Sequence, residues 1–320
     1  MAISLISLAI VFYFANLGRM LAALRLADYR FVALAFLISL VWLLVRGLVW
    51  RSLLQHRAPY SQVFFTITEG YLLNNVLPFR LGEVARAFLL SKKASLEFWQ
   101  VLSTIIIERI LDLAMAVGLL LSTLAFVVGG TWAKPAAIGV GAFVLVGLVI
   151  LYLMARNQSR ALALIEGLGQ RWPALAKASG NRLEAFFNGI SVLTNPSVFI
   201  QAVFWMVADW LLAILQYYVL LLAFFPQGKF LWAAFALGVA ALGIAAPSSP
   251  GAVGVLELSI VGALAVFGLD SSTALAFALT GHLFNYANNG LIGAYALAKD
   301  GESLTGLYQQ VRRLAQKKAS

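Results

Sequence analysis

The sequence predicts an all-α polytopic membrane protein with about six full spans and two re-entrant broken-helix hairpins, arranged as an inverted repeat. Three observations carry this prediction. First, 62% of the 320 residues are hydrophobic and only 11% are charged, against about 45–50% apolar and about 25% charged in soluble domains. One water-soluble core of this length cannot hide that much apolar surface, so lipid must be its solvent. Second, the apolar residues fall into runs of bilayer-spanning length. Third, two further runs are interrupted at mid-length by proline and glycine.

In order, the full spans are Ala2 to Leu17, Phe31 to Trp50, Trp99 to Val128, Ala133 to Ala155, Val198 to Phe225 and Ser272 to Leu297. The first is at the short limit of the about 17–25 residues a crossing needs. The broken runs are Gln62 to Leu90, interrupted at Leu77-Pro78-Phe79-Arg80-Leu81-Gly82, and Phe230 to Leu269, interrupted at Ala246-Pro247-Ser248-Ser249-Pro250-Gly251. Proline removes a backbone donor and clashes with the preceding turn. Backbone freed in this way must be buried in protein or line a wet cavity.

Loop charges set the orientation. Lys92, Lys93, the basic stretch from Arg156 to Arg182 and the tail from Arg312 to Lys318 are cytoplasmic under the positive-inside rule. Each broken run then enters and leaves on one side, the two from opposite faces. Arg19, Arg25 and Arg30 fit poorly, because a first full span puts them outside. The 156–196 linker reads as amphipathic helix on the cytoplasmic leaflet. The domain expectation is one transmembrane unit over 1–320: hairpin 62–90 with helix 99–128 as the first repeat, hairpin 230–269 with helix 272–297 as the second. The spacing echo is Pro78 to Asp112, 34 residues, against Pro247 to Asn285, 38 residues. Inverted repeats with broken helices near the midplane mark many transporters; chance recurrence of common hairpin breakers is the alternative.

A net charge of +10 suits basic loops facing an anionic leaflet and points away from nucleic acid. With no cysteine, disulfides, thiolate zinc sites and cysteine nucleophiles are excluded. His56 and His282 are far apart, so no metal site is expected, and no cofactor. No signal peptide is evident at the start.

Eight ionisable residues fall inside predicted membrane: Arg80, Glu83, Arg86, Glu108, Arg109, Asp112, Asp209 and Glu257. At about 2.5–3.5 kcal/mol each, exposure of all eight to lipid would cost on the order of 20 kcal/mol, above the net stability of an ordinary domain. They must be paired or hydrated, and intramembrane charges are functional candidates. In the first hairpin, a half-helix starting near Leu81 puts Glu83 and Arg86 on one face with Arg80 at its mouth, beside Asn74 and Asn75. A buried helix N-terminus favours an anion, and arginines grip phosphate with paired hydrogen bonds. The alternative is an internal Arg–Glu–Arg network that locks the hairpin. Glu108, Arg109 and Asp112 share one helical face, as ligand contacts or as counter-charge to Arg80 and Arg86. In the second hairpin, Ser249 before Pro250 reads as an N-cap with proline at the first helical position, with Ser248 and Gly251 alongside and Glu257 on the same face two turns on. His282, Asn285, Asn288 and Asn289 form a polar stripe on the last span, the final two as helix ties. Asp209 has no evident partner.

The stretch Gly70 to Leu90, GYLLNNVLPFRLGEVARAFLL, with Glu108-Arg109, Asp112, Pro247 to Gly251 and Glu257, resembles the lysylphosphatidylglycerol synthase transmembrane-region family, a flippase-like group. The group includes the membrane half of the multiple peptide resistance factor, which moves aminoacylated phosphatidylglycerol between leaflets. His282 stands where the family is expected to carry arginine. The resemblance implies a translocating module without a soluble aminoacyl-transferase domain, in a prokaryotic plasma membrane. The expected partner is a phospholipid or isoprenoid-phosphate lipid, whose headgroup would meet Asn74, Asn75, Arg80, Glu83, Arg86, Glu108, Arg109, Asp112, Ser248, Ser249, Gly251, Glu257, His282 and Asn285. A homo-oligomer is compatible with the sequence. No Walker-type phosphate loop occurs, so ATP is not the expected driver; protons, ions or the lipid gradient remain. A membrane-embedded lipid or glycosyl transferase, using Glu83, Glu108 or Asp112 as base, and a non-catalytic subunit of a lipid pathway are the rival readings.

Overall fold

The structure is a computed structural model that describes residues 2–77, 80–128, 133–162, 181–245, 249–302 and 306. Its helices are α1 (Ala2–Phe14), α2 (Leu17–Leu26), α3 (Tyr29–Leu53), α4 (Tyr60–Val76), α5 (Leu81–Lys93), α6 (Phe98–Val128), α7 (Ala133–Arg156), α8 (Asn181–Ile190), α9 (Pro196–Phe224), α10 (Phe230–Ala245), α11 (Val255–Ala265) and α12 (Ser271–Lys299). Short 3-10 turns at Ser191–Thr194 and Pro250–Ala252 complete the set, and no strand occurs among the described residues.

Local chemistry explains the starts. Asn16, Asp28, Asn195 and Asp270 each place a side-chain oxygen on an early amide of α2, α3, α9 and α12, and Pro196 opens α9. Such side chains satisfy donors that an uncapped helix start leaves free. Tyr29–Leu53, Phe98–Val127 and Pro196–Phe224 are long and apolar enough to cross a membrane, and the bent pair α1–α2 could supply a fourth crossing. Large apolar side chains also cover the outside: Leu37, Phe126, Ile200, Leu211 and Leu291 are exposed. That is the surface an integral membrane protein presents to lipid.

Two expectations need correction. The first apolar run is not one span to Leu17: it stops at Phe14, and the chain turns by 79° into α2. Asn16 causes the break. Its side chain accepts from the Arg19 amide at 3.0 Å, while its own amide donates to Ser272 Oγ at 2.9 Å. Arg19 and Arg25 therefore ride on a separate helix. The second correction concerns the half-helix expected from Pro250. Pro250–Ala252 is only a 3-10 turn, and α-helix begins at Val255, after Gly251 at φ 66° and Gly254 at φ 87°. Ser249 makes no cap; its hydroxyl donates to the Val253 carbonyl at 3.1 Å. Glu257 thus lies in the first turn of α11 rather than two turns into a helix begun at Pro250.

The first hairpin is closed by glycine. A Cβ on Gly82 would stand 2.1 Å from the Gly70 carbonyl oxygen and 2.6 Å from Asn74 Oδ1, so α4 and α5 cross backbone to backbone. The long helices exchange partners around the two hairpins. α12, which follows the second hairpin, packs on α4, and α6, which follows the first, packs on α10. α3 lies along α9. One apolar core gathers Leu43, Trp50, Val63, Ile105, Phe187 and Met206; another gathers Val219, Phe235, Ile260, Leu275 and Phe277.

Candidate functional site

Four arginines and four carboxylates from α3, α5, α6, α9 and the start of the first hairpin's second arm form one continuous network. At its centre is Arg46 of α3, whose guanidinium lies 2.7 Å from Glu108, 2.9 Å from Asp112 and 3.1 Å from Asp209. Arg86 Nη2 meets Glu108 Oε2 at 2.8 Å and its guanidinium lies over the Trp50 ring, 4.6 Å from the centroid. Arg109 bridges Glu108 at 2.6 Å, Asp112 at 2.9 Å and Glu83 at 3.6 Å; Glu83 in turn lies 4.0 Å from Arg80. The Trp210 indole donates to Asp112 at 3.3 Å. Arg46, Arg80, Arg86 and Arg109 against Glu83, Glu108, Asp112 and Asp209 gives four charges of each sign, so the network is formally neutral. Buried ions need such compensation, since each costs several kcal/mol to dehydrate.

The network runs from sealed to open. The Arg86 side chain is 1% exposed, Arg109 31% and Arg80 45%. The open end borders a cavity of about 410 Å³ between α5 and α6, lined by Arg80, Glu83 and Arg109 together with the aliphatic Leu102, Ile106, Ile110 and Leu113. Ile106 and Leu113 also belong to the exposed outer surface. Arg80 holds a left-handed backbone, φ 53° and ψ 35°, at the residue before α5. A non-glycine residue rarely adopts that region. Its guanidinium hydrogen-bonds the Ile244 carbonyl in the last turn of α10, linking the two hairpins.

The other expected site residues fall elsewhere. Asn74 and Asn75 close α4; Asn74 Oδ1 and Asn75 Nδ2 are buried without a partner among the described residues. Glu108 and Asp112 sit in the network behind Arg109 rather than on the cavity wall. Gly251, Glu257 and His282 form a second group: His282 Nδ1 lies 2.6 Å from Glu257 Oε1, and Nε2 lies 2.9 Å from the Gly251 carbonyl oxygen. Glu257 Oε2 also accepts the Gly254 amide at 2.7 Å, so the start of α11 is capped by its own carboxylate. Ser249 donates its amide to Ser4 Oγ of α1 at 2.9 Å. Asn285 is exposed one turn from His282, whereas Asn288 donates to Ser39 Oγ at 2.7 Å, as a helix tie should. Ser248, like Pro78 and Pro247, lies outside the described residues, as do residues 163–180 of the linker and nearly all of the tail.

Sequence reasoning missed Arg46, although it stands alone in the Phe31 to Trp50 run and the insertion-cost argument applies to it equally. It is the partner of Asp209. A second omission is Glu69, fully buried in α4, which Lys93 of α5 reaches at 2.7 Å while also pairing with Asp300 past the end of α12. Burial opposes ionisation of Asp300, yet the Lys93 ammonium and the Glu69 side chain hold its carboxyl below the usual range. Among the described residues no three His, Asp or Glu side chains are grouped to hold a metal ion.

Comparison with known proteins is consistent with this architecture. No solved structure matches the chain. A UPF0104 membrane protein of Methanothermobacter thermautotrophicus is 26% identical over 300 residues, covering 89% of this chain and 88% of that protein. A UPF0104 membrane protein of Methanocaldococcus jannaschii is 25% identical over 118 residues, 35% of each chain. The family model described as the lysylphosphatidylglycerol synthase TM region matches residues 1–293. The chain is an integral membrane protein of the lysylphosphatidylglycerol synthase TM region family.

Proposed function

We propose that this protein is a lipid translocase, a flippase or scramblase, which carries a phosphate-bearing headgroup across the bilayer while the hydrocarbon chains stay in lipid. The observation that carries the reading is the cavity at the open end of the charge network. Its lining combines Arg80 and Arg109 with aliphatic residues of α6, of which Ile106 and Leu113 also belong to the exposed outer surface. A phospholipid or isoprenoid-phosphate lipid has the same two-part chemistry. The volume of about 410 Å³ falls within the about 300–1,000 Å³ of small-molecule sites. Arg86 and Arg46 would not touch the headgroup; they keep Glu108, Asp112 and Asp209 neutralised so that Arg80 and Arg109 stay oriented toward the cavity. Glu83, between those two arginines, would release them to phosphate or meet a cationic headgroup.

The hairpins and the helices that follow them form the inverted repeat in this reading. Its support is the reciprocal packing of α4 with α12 and of α10 with α6. Loop charges put the ends of α5 and α12 in the cytoplasm. Lys92 pairs with Glu302 there at 2.8 Å.

The test is movement of fluorescent phospholipid between leaflets of proteoliposomes. A hydrogen bond to a charged group contributes about 1.5–3 kcal/mol, so Arg80→Ala and Arg109→Ala should each raise the half-saturating lipid level about tenfold or more at unchanged folding. Equal transport by wild type and both variants would remove the headgroup site. Appearance of a new lipid species in the same vesicles would favour a transferase.

A further inference from the structure

The geometry around His282 requires a proton. Its Nε2 lies 2.9 Å from the Gly251 carbonyl oxygen, and a carbonyl only accepts, so Nε2 carries hydrogen. Its Nδ1 lies 2.6 Å from Glu257 Oε1. That contact needs a second proton, placed on Nδ1 as imidazolium or on the carboxyl. The other carboxylate oxygen is already an acceptor for the Gly254 amide. The pair is almost completely buried, and among the described residues no arginine or lysine pairs with it. The titratable groups facing it are Tyr217 from α9 and Tyr286 from α12, the latter stacked on the imidazole at 4.8 Å. α10 carries no titratable residue; α1 contributes Ser4 and Leu8 near Gly254, its Tyr13 being exposed at the far end. α4, which packs on the 250–252 turn, keeps its carboxylate Glu69 in the separate pair with Lys93.

This site holds one edge of the second hairpin's break, and Arg80 holds the other. His282 binds the carbonyl of Gly251; Arg80 binds the carbonyl of Ile244. We propose that the Glu257–His282 pair is a proton-binding site that opposes lipid binding at Arg80, making the translocase a proton–lipid exchanger; this rests on the headgroup reading above. A phosphate that takes the Arg80 guanidinium frees Ile244. When the bridging proton leaves for water, the Nδ1 lone pair faces a carboxylate and the pair separates, which frees Gly251. Gly251 and Gly254, both at positive φ, allow the backbone between them to rearrange. Proton binding favours the held break and lipid binding the released one, and such antagonism is reciprocal between the two sites.

Two measurements decide it. The first is proteoliposome transport of a phosphodiester lipid that stays ionised, under an imposed pH gradient. Exchange of an anionic lipid for a proton moves two charges, so the membrane potential is clamped at zero. Labelled lipid should then accumulate on the acidic side by about tenfold per pH unit for one proton per lipid, while Glu257→Gln and His282→Gln equilibrate it without regard to the gradient. Transport by wild type that ignores the gradient, or accumulation on the alkaline side, overturns the exchanger and leaves the headgroup site standing. The second needs no transport. Because His56 and His282 are the only histidines, His56→Gln protein with isotope-labelled histidine reports His282 alone by NMR. Gain and loss of the proton shared by His282 Nδ1 and Glu257, read from the ring-nitrogen shifts over the pH interval in which the protein stays folded and altered by Glu257→Gln, are expected. No step in that interval overturns the proton site, whatever the lipid assay shows.

Discussion

Arg46→Ala is expected to destabilise the protein by about 3–5 kcal/mol, the cost of stranding a buried charge by removing its partner. The loss falls unevenly on the three carboxylates Arg46 touches. Glu108 keeps Arg86 and Arg109, and Asp112 keeps Arg109. Asp209 keeps none of its pairing, because its Oδ2 bonds Arg46 and its Oδ1 has no partner among the described residues. Stability in detergent should therefore fall by a large share of the about 5–15 kcal/mol typical of folded domains. Removing both members tests the cause. Arg46→Met combined with Asp209→Leu should recover most of the loss, since apolar replacements of a buried pair are often neutral. A double variant as unstable as Arg46→Ala would show that packing around Arg46, and not its charge, holds α3 to α9.

Gly82→Val carries the second large effect. The added Cβ would lie 2.1 Å from the Gly70 carbonyl oxygen and 2.7 Å from the Asn74 amide nitrogen. Both are backbone atoms of α4, so nothing flexible can yield. Overpacking alone costs about 1–3 kcal/mol, and a clash against rigid backbone belongs at or above the upper end. The expected result is loss of the α4–α5 crossing, read as protease sensitivity near residue 80 and loss of transport. Gly118→Ala is the control, because its Cβ would meet nothing within 4 Å. Alanine there should be neutral or stabilising by up to about 1 kcal/mol. Equal behaviour of the two variants would mean that α4 and α5 can separate without harm.

Both predictions show where sequence reading succeeds and where it stops. The ends of α4 at Val76 and of α10 at Ala245 were legible within a few residues, because proline and glycine limit a helix within a turn of themselves. The extents of α3, α6, α9 and α12 came within two or three residues of expectation, since apolar run length is a local property. The grouping of Glu108, Arg109 and Asp112 followed from helical spacing, and the Arg109–Asp112 contact at 2.9 Å is what that spacing allows. Asp209 was visible as a problem without an answer, because Arg46 is 163 positions away and only the packing of α3 along α9 joins them.

Other features depended on competition between contacts that no local pattern ranks. Asn16 ends α1 because its amide finds Ser272. α11 starts at Val255 because Glu257 caps Gly254, which leaves Ser249 to other partners. The charge residues themselves are identifiable from their cost in lipid. Which of them are sealed and which open was decided in the fold: Arg86 is enclosed by Glu108 and Trp50, while Arg80 and Arg109 reach the cavity. The amino-acid sequence alone determined that this chain is helical, lives in a bilayer, breaks at two places and must neutralise its buried ions. The tertiary structure alone decided which ion meets which, because a charge in low dielectric takes the partner that distant helices bring within reach.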